Sequence, residues 1–290
     1  MKKILLLGLL VLVLFTFGCI KQPGPGPEVV NYHTGKNGIE ITAINNLPPK
    51  EAWVGNTFVV GIEIKNSGAF DIEQGKLSVS GFDPDYIEIQ EPQRNFILKG
   101  KQAGYPEGER NIINFNVKNI GIREGSEEIV SSFTIRAQYP YQTETSTEVC
   151  INPDIYNAVK TKHICEVQSQ TFRSGQGAPV SITSIDQTIS PIDLDYEISF
   201  LIHVQNKGDG RVLNNKLKVK EAKLSDQAVQ CTKEIQFDNH QDNLIKCSII
   251  LKEVRGAYLA PFTIKLEYDY ENVVDKKFKI VDLLLKAKKI

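Results

Sequence analysis

The sequence contains itself twice. Phe58–Ser80 aligns with Ile198–Lys220 without a gap, at a constant offset of 140 residues. Ile62, Asn66, Gly68, Lys76, Leu77 and Val79 recur as Ile202, Asn206, Gly208, Lys216, Leu217 and Val219. Further on, Phe133–Tyr141 matches Phe262–Tyr270 at an offset of 129, and Asn111-Ile112-Ile113 resembles Asn243-Leu244-Ile245 between those blocks. Three blocks in one order mean duplication, and the falling offset means shorter loops in the second copy. The 290 residues therefore divide into two copies of one domain, 38–151 and 178–290, joined by a linker over 152–177.

The repeat reads as β-structure. Phe58, Val60, Ile62 and Ile64 alternate with Val59, Gly61, Glu63 and Lys65, and Ile198, Phe200, Ile202 and Val204 alternate likewise. A period of two predicts strands buried on one face. Asn66-Ser67-Gly68 and Asn206-Lys207-Gly208 end these strands; Asn and Gly tolerate positive φ, so both read as turns. Strands are also predicted over 77–79, 86–89, 96–98, 112–117 and 129–139. Short strands separated by turns predict an all-β fold of two tandem immunoglobulin-like antiparallel β-sandwich domains.

The N-terminus reads as a targeting segment over 1–19. Met1-Lys2-Lys3 precedes an apolar stretch from Ile4 to Phe17, and Gly18-Cys19 follows. A Cys after a small residue at the end of such a run resembles a lipoprotein signal, which implies lipidation at Cys19. An uncleaved signal anchor and plain secretion are the alternatives; the run to Ile20 sits at the short limit for a bilayer span. The Pro/Gly-rich stretch within 20–37 reads as a semi-rigid spacer. All three readings place the body outside the cytoplasm.

The remaining cysteines agree with export. Cys150, Cys165, Cys231 and Cys247 allow three pairings. Geometry favours Cys231–Cys247, because a hairpin of Val229–Phe237 and Leu244–Leu251 centred near Asn239 puts them opposite each other. Cys150–Cys165 would then staple the segment Asn152–His163 between the two copies. There is no C-x-x-C spacing of a zinc or redox site.

The strand ending in N-x-G, the polar insert and the K-L-x-V strand are similar to CARDB-like and related immunoglobulin-like modules of prokaryotic surface proteins. The cysteine after the apolar run, the Y-x-Y strand, the cysteine pair and the Gly175–Pro179 linker together resemble archaeal cell-surface lipoproteins with tandem modules of this kind. The resemblance implies adhesion or scaffold roles and carries no catalytic residues to transfer.

Motifs of phosphate binding, nucleophile elbows and zinc proteases do not occur, so no catalytic residue, metal ligand or cofactor is nominated and the chain reads as no enzyme. His33, His163, His203 and His240 are scattered, and His203 reads as a solvated surface histidine on the polar face of a strand. Asp83/Asp85 and Asp193/Asp195 are loop carboxylates of the kind that hold Ca²⁺, but two oxygens per group fall short of a site. Tyr139/Tyr141 and Tyr268/Tyr270 read as an aromatic edge of the core. Trp53 reads either as a cap on the sandwich or as an exposed contact. The Leu283–Leu285 run with its Lys tail reads as packing on the second copy, or as approaching acidic lipid or an acidic partner. Net charge is −1, which excludes nucleic-acid binding through bulk charge.

The expected function is a membrane-anchored, non-catalytic surface protein binding an unknown protein or glycan. An accessory subunit of an envelope secretion, pilus or transport complex is the alternative. A surface hydrolase is a minor third, requiring clustered His or acidic groups in a cleft between the copies.

Overall fold

From Phe133 to Thr145 the odd-numbered residues are apolar, aromatic or Thr, while the even-numbered ones are polar or Pro. That alternation does not stop at Tyr139, and neither does the strand it builds. The computed structural model describes residues 30–154 and 164–287. Cys19, the expected lipid site, and His163 lie outside them.

In chain order the first half holds β1 (Ile39–Ala43), β2 (Glu51–Trp53), β3 (Thr57–Asn66), β4 (Ile72–Ser80), β5 (Ile87–Ile89), β6 (Gln93–Leu98), β7 (Arg110–Asn119) and β8 (Glu128–Ile151). The second holds β9 (Gln170–Thr171), β10 (Val180–Ile192), β11 (Asp195–Asn206), β12 (Arg211–Val212), β13 (Lys216–Leu224), β14 (Gln227–Ala228), β15 (Gln230–Cys231), β16 (Glu234–Gln236), β17 (Asn243–Leu251) and β18 (Tyr258–Val281). A short helix, Leu283–Ala287, follows. The all-β class holds among the described residues, in antiparallel sheets apart from one short parallel pair.

Two smaller sheets, in the orders β1-β3-β7-β5 and β15-β17-β11-β10-β9, lie beside one large sheet with the path β14-β13-β18-β8-β4-β6. The large sheet belongs to both halves. β8 and β18 are each 24 residues long and pair antiparallel from end to end. Pro140 faces Asp269, its own counterpart in the repeat, so a pseudo-two-fold axis passes between them. Each long strand serves its own half and then runs on into the other. Thr143 Oγ1 donates to Val180 O (2.6 Å), and Cys150 O accepts from Gln187 Nε2 (2.8 Å). At the opposite end Phe278 packs on Phe58 and Phe133, with ring centroids 5.2 and 6.0 Å away. The helix after β18 therefore starts at the end of the first half, where β2 pairs with Lys279–Val281 and Asp282 N–H donates to Glu127 O (2.9 Å); of the alternatives for the C-terminal stretch, this removes packing on the second copy.

Four tyrosines meet at the axis. Tyr139, Tyr141, Tyr268 and Tyr270 are buried, with neighbouring ring centroids 5.6–6.4 Å apart. They form the centre of the structure, not the edge expected. Tyr141 donates to Asn66 Oδ1 (3.1 Å) and accepts from Phe70 N–H (3.3 Å). Tyr270 repeats this with Asn206 Oδ1 (2.8 Å) and Gly210 N–H (3.0 Å). Tyr139 accepts from Ile39 N–H (2.9 Å) and Tyr268 from Val180 N–H (3.3 Å), the first residues of matching strands. Burial holds the Tyr139, Tyr141 and Tyr268 hydroxyls well above the ordinary phenol range, and pushes Tyr270 up to about 12.

These bonds explain N-x-G. Each Asn closes its loop, Asn66 Nδ2 to Phe70 O (2.7 Å) and Asn206 Nδ2 to Gly210 O (2.8 Å). Each Gly donates its N–H to the Asn Oδ1 (3.2 Å). Both strands end at these motifs as expected, but neither Gly has positive φ, so backbone handedness is not the reason for glycine. Glycine is needed because a Cβ would lie 1.9 Å from Tyr141 Oη at position 68 and 2.7 Å from Tyr270 Oη at position 208.

Two further expectations change. Gly175–Pro179, read as a linker, is buried. Gly177 accepts from Ala69 N–H (2.7 Å) and donates to Gly35 O (2.9 Å), which ties the segment into the first half. Val229–Phe237 is not one strand. β15 pairs with β17, with Cys231 opposite Cys247, and β16 then crosses to pair with β13 in the large sheet. Phe237, which follows β16, is fully buried.

Tyr32–Ile290 forms one unit by its internal contacts. With two strands running through both halves, calorimetric unfolding should give a single transition, and Tyr270→Phe should lower stability by about 1–3 kcal/mol because Asn206 Oδ1 and Gly210 N–H lose a buried partner. Two well-separated transitions would show that the halves hold independently.

Candidate functional site

The outer face of the large sheet carries polar residues about the axis, again in symmetric pairs. Gln138 Nε2 donates to Glu271 Oε1 (2.8 Å), and Gln142 Nε2 donates to Glu267 Oε1 (3.2 Å). The surroundings of these two rungs differ. Glu271 is almost wholly buried. Arg211 reaches over it with Nε and Nη2 at 2.9 and 2.7 Å from Oε2, and Arg136 Nε lies 3.1 Å from Oε1.

In the repeat the counterpart of Arg211 is Asp71. Asp71 turns away to Lys99 Nζ (2.8 Å) and Gly100 N–H (2.9 Å). Partial burial works to raise its carboxyl, but the Lys99 and Gly100 bonds outweigh that and hold it below the ordinary range. Asp71 therefore does not reach over the Gln142–Glu267 rung as Arg211 reaches over Glu271, and a groove of about 580 Å³ opens there. Pro140, Gln142, Glu267 and Asp269 line it, with Asp71 and Glu73 from the first half and Lys216 and Lys218 from the second. Lys216 Nζ and Lys218 Nζ lie 3.1 and 4.0 Å from Glu234, and Lys220 Nζ lies 2.5 Å from Glu267. Acids from one half facing lysines from the other suit a polar or zwitterionic ligand by charge complementarity.

The second feature surrounds His203. Its Nδ1 lies 2.5 Å from Asp242 Oδ2 and its Nε2 3.1 Å from Asp186 Oδ2. Gln205 Nε2 also donates to Asp242 Oδ1 (3.2 Å). With a carboxylate at each ring nitrogen, both must donate, which favours the imidazolium. The Asp242 bond is the largest cause holding the His203 pKa above its ordinary value. The Ser169 hydroxyl, then His203, hold the Asp186 carboxyl low. His203 does sit on the polar face of its strand, but it is a clasp joining β10, β11 and the turn after Phe237, not a freely solvated side chain. No local pattern around His203 signals this, since Asp186 and Asp242 lie 17 and 39 residues away.

The structure contains both cystine bonds, Cys150–Cys165 with S–S 2.06 Å and Cys231–Cys247 with S–S 2.04 Å. Cys231 is half-buried and Cys247 buried. Asp83 Oδ1 accepts from Asp85 N–H (3.0 Å), a turn bond, and Asp193 sits at positive φ in the tight turn between β10 and β11. Trp53 ends β2 and is 47% exposed. His33 packs edge-on against Phe70, and His240 N–H donates to Asp238 Oδ1 (2.8 Å).

Two measurements test these assignments. Glu271→Ala should cost about 1–3 kcal/mol in urea unfolding, because it leaves Arg211 and Gln138 without their acceptor. Glu271→Gln should cost less. For His203, a folded pKa above 6.5 means the clasp contributes fully below that value and fades as pH rises through the folded one. Wild type should therefore melt about 1–3 °C above His203→Gln near pH 6, and the gap should close toward pH 9. A gap that widens with pH would reverse the assignment.

No family model matches this chain. No curated protein matches it. Among solved structures, the chain is similar to the YadV chaperone, at 9% identity and TM-score 0.21, covering 78% of this chain and 98% of that one. It is also similar to the secreted serine protease VesC from Vibrio cholerae, at 11% identity and TM-score 0.21, covering 78% of this chain and 49% of that one. At these scores neither neighbour bears on fold or function.

Proposed function

We propose that this chain is an exported, membrane-anchored surface protein that works without catalysis, as a rigid two-lobed module for binding a protein or glycan. The observation that carries the reading is the pair of disulfides, Cys150–Cys165 and Cys231–Cys247, in a chain with one cysteine left over at position 19. Disulfides of this kind persist in oxidising compartments, and Cys19 stands where a lipid would be attached. Each half is read as an immunoglobulin-like β-sandwich. The shared sheet supports a display role, because a body spanned by two long strands holds its surfaces at fixed separation.

The groove at the axis is offered as a recognition surface and not as a reaction centre. Its two lysines pair with Glu234, and its Asp71 and Glu267 carboxylates pair with Lys99 and Lys220, which suits contact with polar groups better than proton transfer.

Detergent partition of the protein from its native membrane tests the anchoring. Wild type is expected in the detergent phase and Cys19→Ser in the aqueous phase. Unchanged partition of Cys19→Ser would replace lipidation with an uncleaved N-terminal anchor, and a wild-type protein in the aqueous phase would remove membrane anchoring altogether.

A further inference from the structure

The two halves finish their first strands differently. In the second half the outer edge of β10 is covered. The Gln176 side chain donates Nε2 to Ile182 O and accepts Ile182 N–H at Oε1, both at 3.0 Å. Immediately beyond, β9 pairs with Ser184 and Ile185.

The ladders identify the matching positions on β1. Ile39 and Val180 face the repeated asparagines, Asn66 and Asn206. Ile41 faces Ile64 as Ile182 faces Val204, and Ala43 faces Ile62 as Ile185 faces Ile202. Gln176 lies six residues before Ile182, and six residues before Ile41 stands Gly35, which has no side chain to offer. Among the described residues no strand pairs with the outer edge of β1.

The direction of that edge is fixed. Ile39 N–H points away from β3 to Tyr139, as Val180 N–H points away from β11 to Tyr268. Along a strand such amides alternate, so those of Ile41 and Ala43 point the same way. Residues 37–42 line a groove of about 310 Å³ whose other wall includes Asn272–Val274 of β18, and Ala43 lies just beyond its end. Among the described residues no strand pairs with 272–278 of β18 on that side, because β12 ends opposite Glu271 and β2 begins opposite Lys279. Two bare strand edges thus line one groove, and unpaired edges are templates for an added strand.

We propose that this groove accepts an extended segment of a partner polypeptide, which pairs antiparallel with β1 as β9 pairs with β10. The rim carries Glu40 and Asp209, so the segment it takes carries Lys or Arg. A second copy of this chain is disfavoured as occupant, because antiparallel pairing of two β1 edges brings the Glu40 side chains of both copies together. The inference deepens the binding-module reading and rests on it.

The test uses the full disulfide-intact protein and, as probe, a synthetic peptide of residues 167–178, which carries the β9 sequence, Arg173 and Gln176. Hydrogen exchange is followed by mass spectrometry during titration. Saturable slowing by about tenfold is expected in segments 39–43 and 272–274, with no change at 180–186, which is already covered. Ala43→Pro should abolish the slowing, since it removes an outward N–H and spares the bonds to β3. If that variant does not fold, Glu40→Lys combined with Asp209→Lys should weaken binding about tenfold. Absence of saturable slowing, slowing confined to other segments, or slowing that survives these variants overturns the proposal. Slowing at 39–43 that grows with protein concentration in the absence of peptide makes a second copy the occupant and overturns it as well. The partition of Cys19→Ser is read separately, so failure of the titration leaves the anchoring result untouched.

Discussion

The ladder between β8 and β18 is the constraint on which everything else hangs. Each strand has 24 residues, and the register places Pro140 opposite its own counterpart Asp269. Because the strands are antiparallel and come from equivalent places in the repeat, each passes the axis and continues under the other half. The buried face of β8 beyond Tyr141 serves the second half through Thr143, Thr145 and Val149, while Phe278 and Ile280 of β18 complete the core of the first. Such an exchange of strand ends is what domain-swapped dimers do between chains; here one chain does it with itself. A half removed from its partner would expose an apolar strand face that it cannot cover alone.

At the axis the same symmetry concentrates buried hydroxyls, which cost free energy unless each finds a partner. The repeated Asn of N-x-G meets that demand. One amide closes its own loop, takes the glycine N–H and accepts a tyrosine from the shared sheet, so a local turn and a distant strand are fixed by a single side chain. The glycine follows from the crowding of that tyrosine rather than from backbone handedness. The N-x-G turn signal and the Y-x-Y strand signal, whose bonded residues lie 75 and 64 positions apart in the two halves, are thus parts of one interaction.

This explains which parts of the structure were legible in the sequence. The duplication, the period-two strands and the Cys231–Cys247 register depend on neighbouring residues or on copies of the same pattern, and they can be read without coordinates. The length of β8 is not legible because its inward positions pass from aromatic residues to Thr143 and Thr145, which are polar by composition yet buried, and because Pro140 on the outward face reads as a strand end. Gly175–Pro179 has the composition of a linker, and only its bonds to Gly35, Ala69 and Ile182 make it part of the core. The crossing between β15 and β16 leaves no compositional mark, since each short piece is a plausible strand in either sheet. His203 is held by partners from two other elements, and nothing local to it announces them.

The surfaces most suited to recognition arise where the duplicate halves stop matching. Arg211 seals the Glu271 rung, while its counterpart Asp71 turns to Lys99 and leaves the Gln142–Glu267 rung in an open groove. Gln176 and β9 seal the edge of β10, while Gly35 leaves the edge of β1 bare. In both cases one half shows what fills the position, and the other presents the same backbone without the filler. A bare backbone edge recognises extended chain of nearly any sequence, so selectivity has to come from the side chains at its rim. Glu40 and Asp209 stand there, and their charge sets which segments the edge holds.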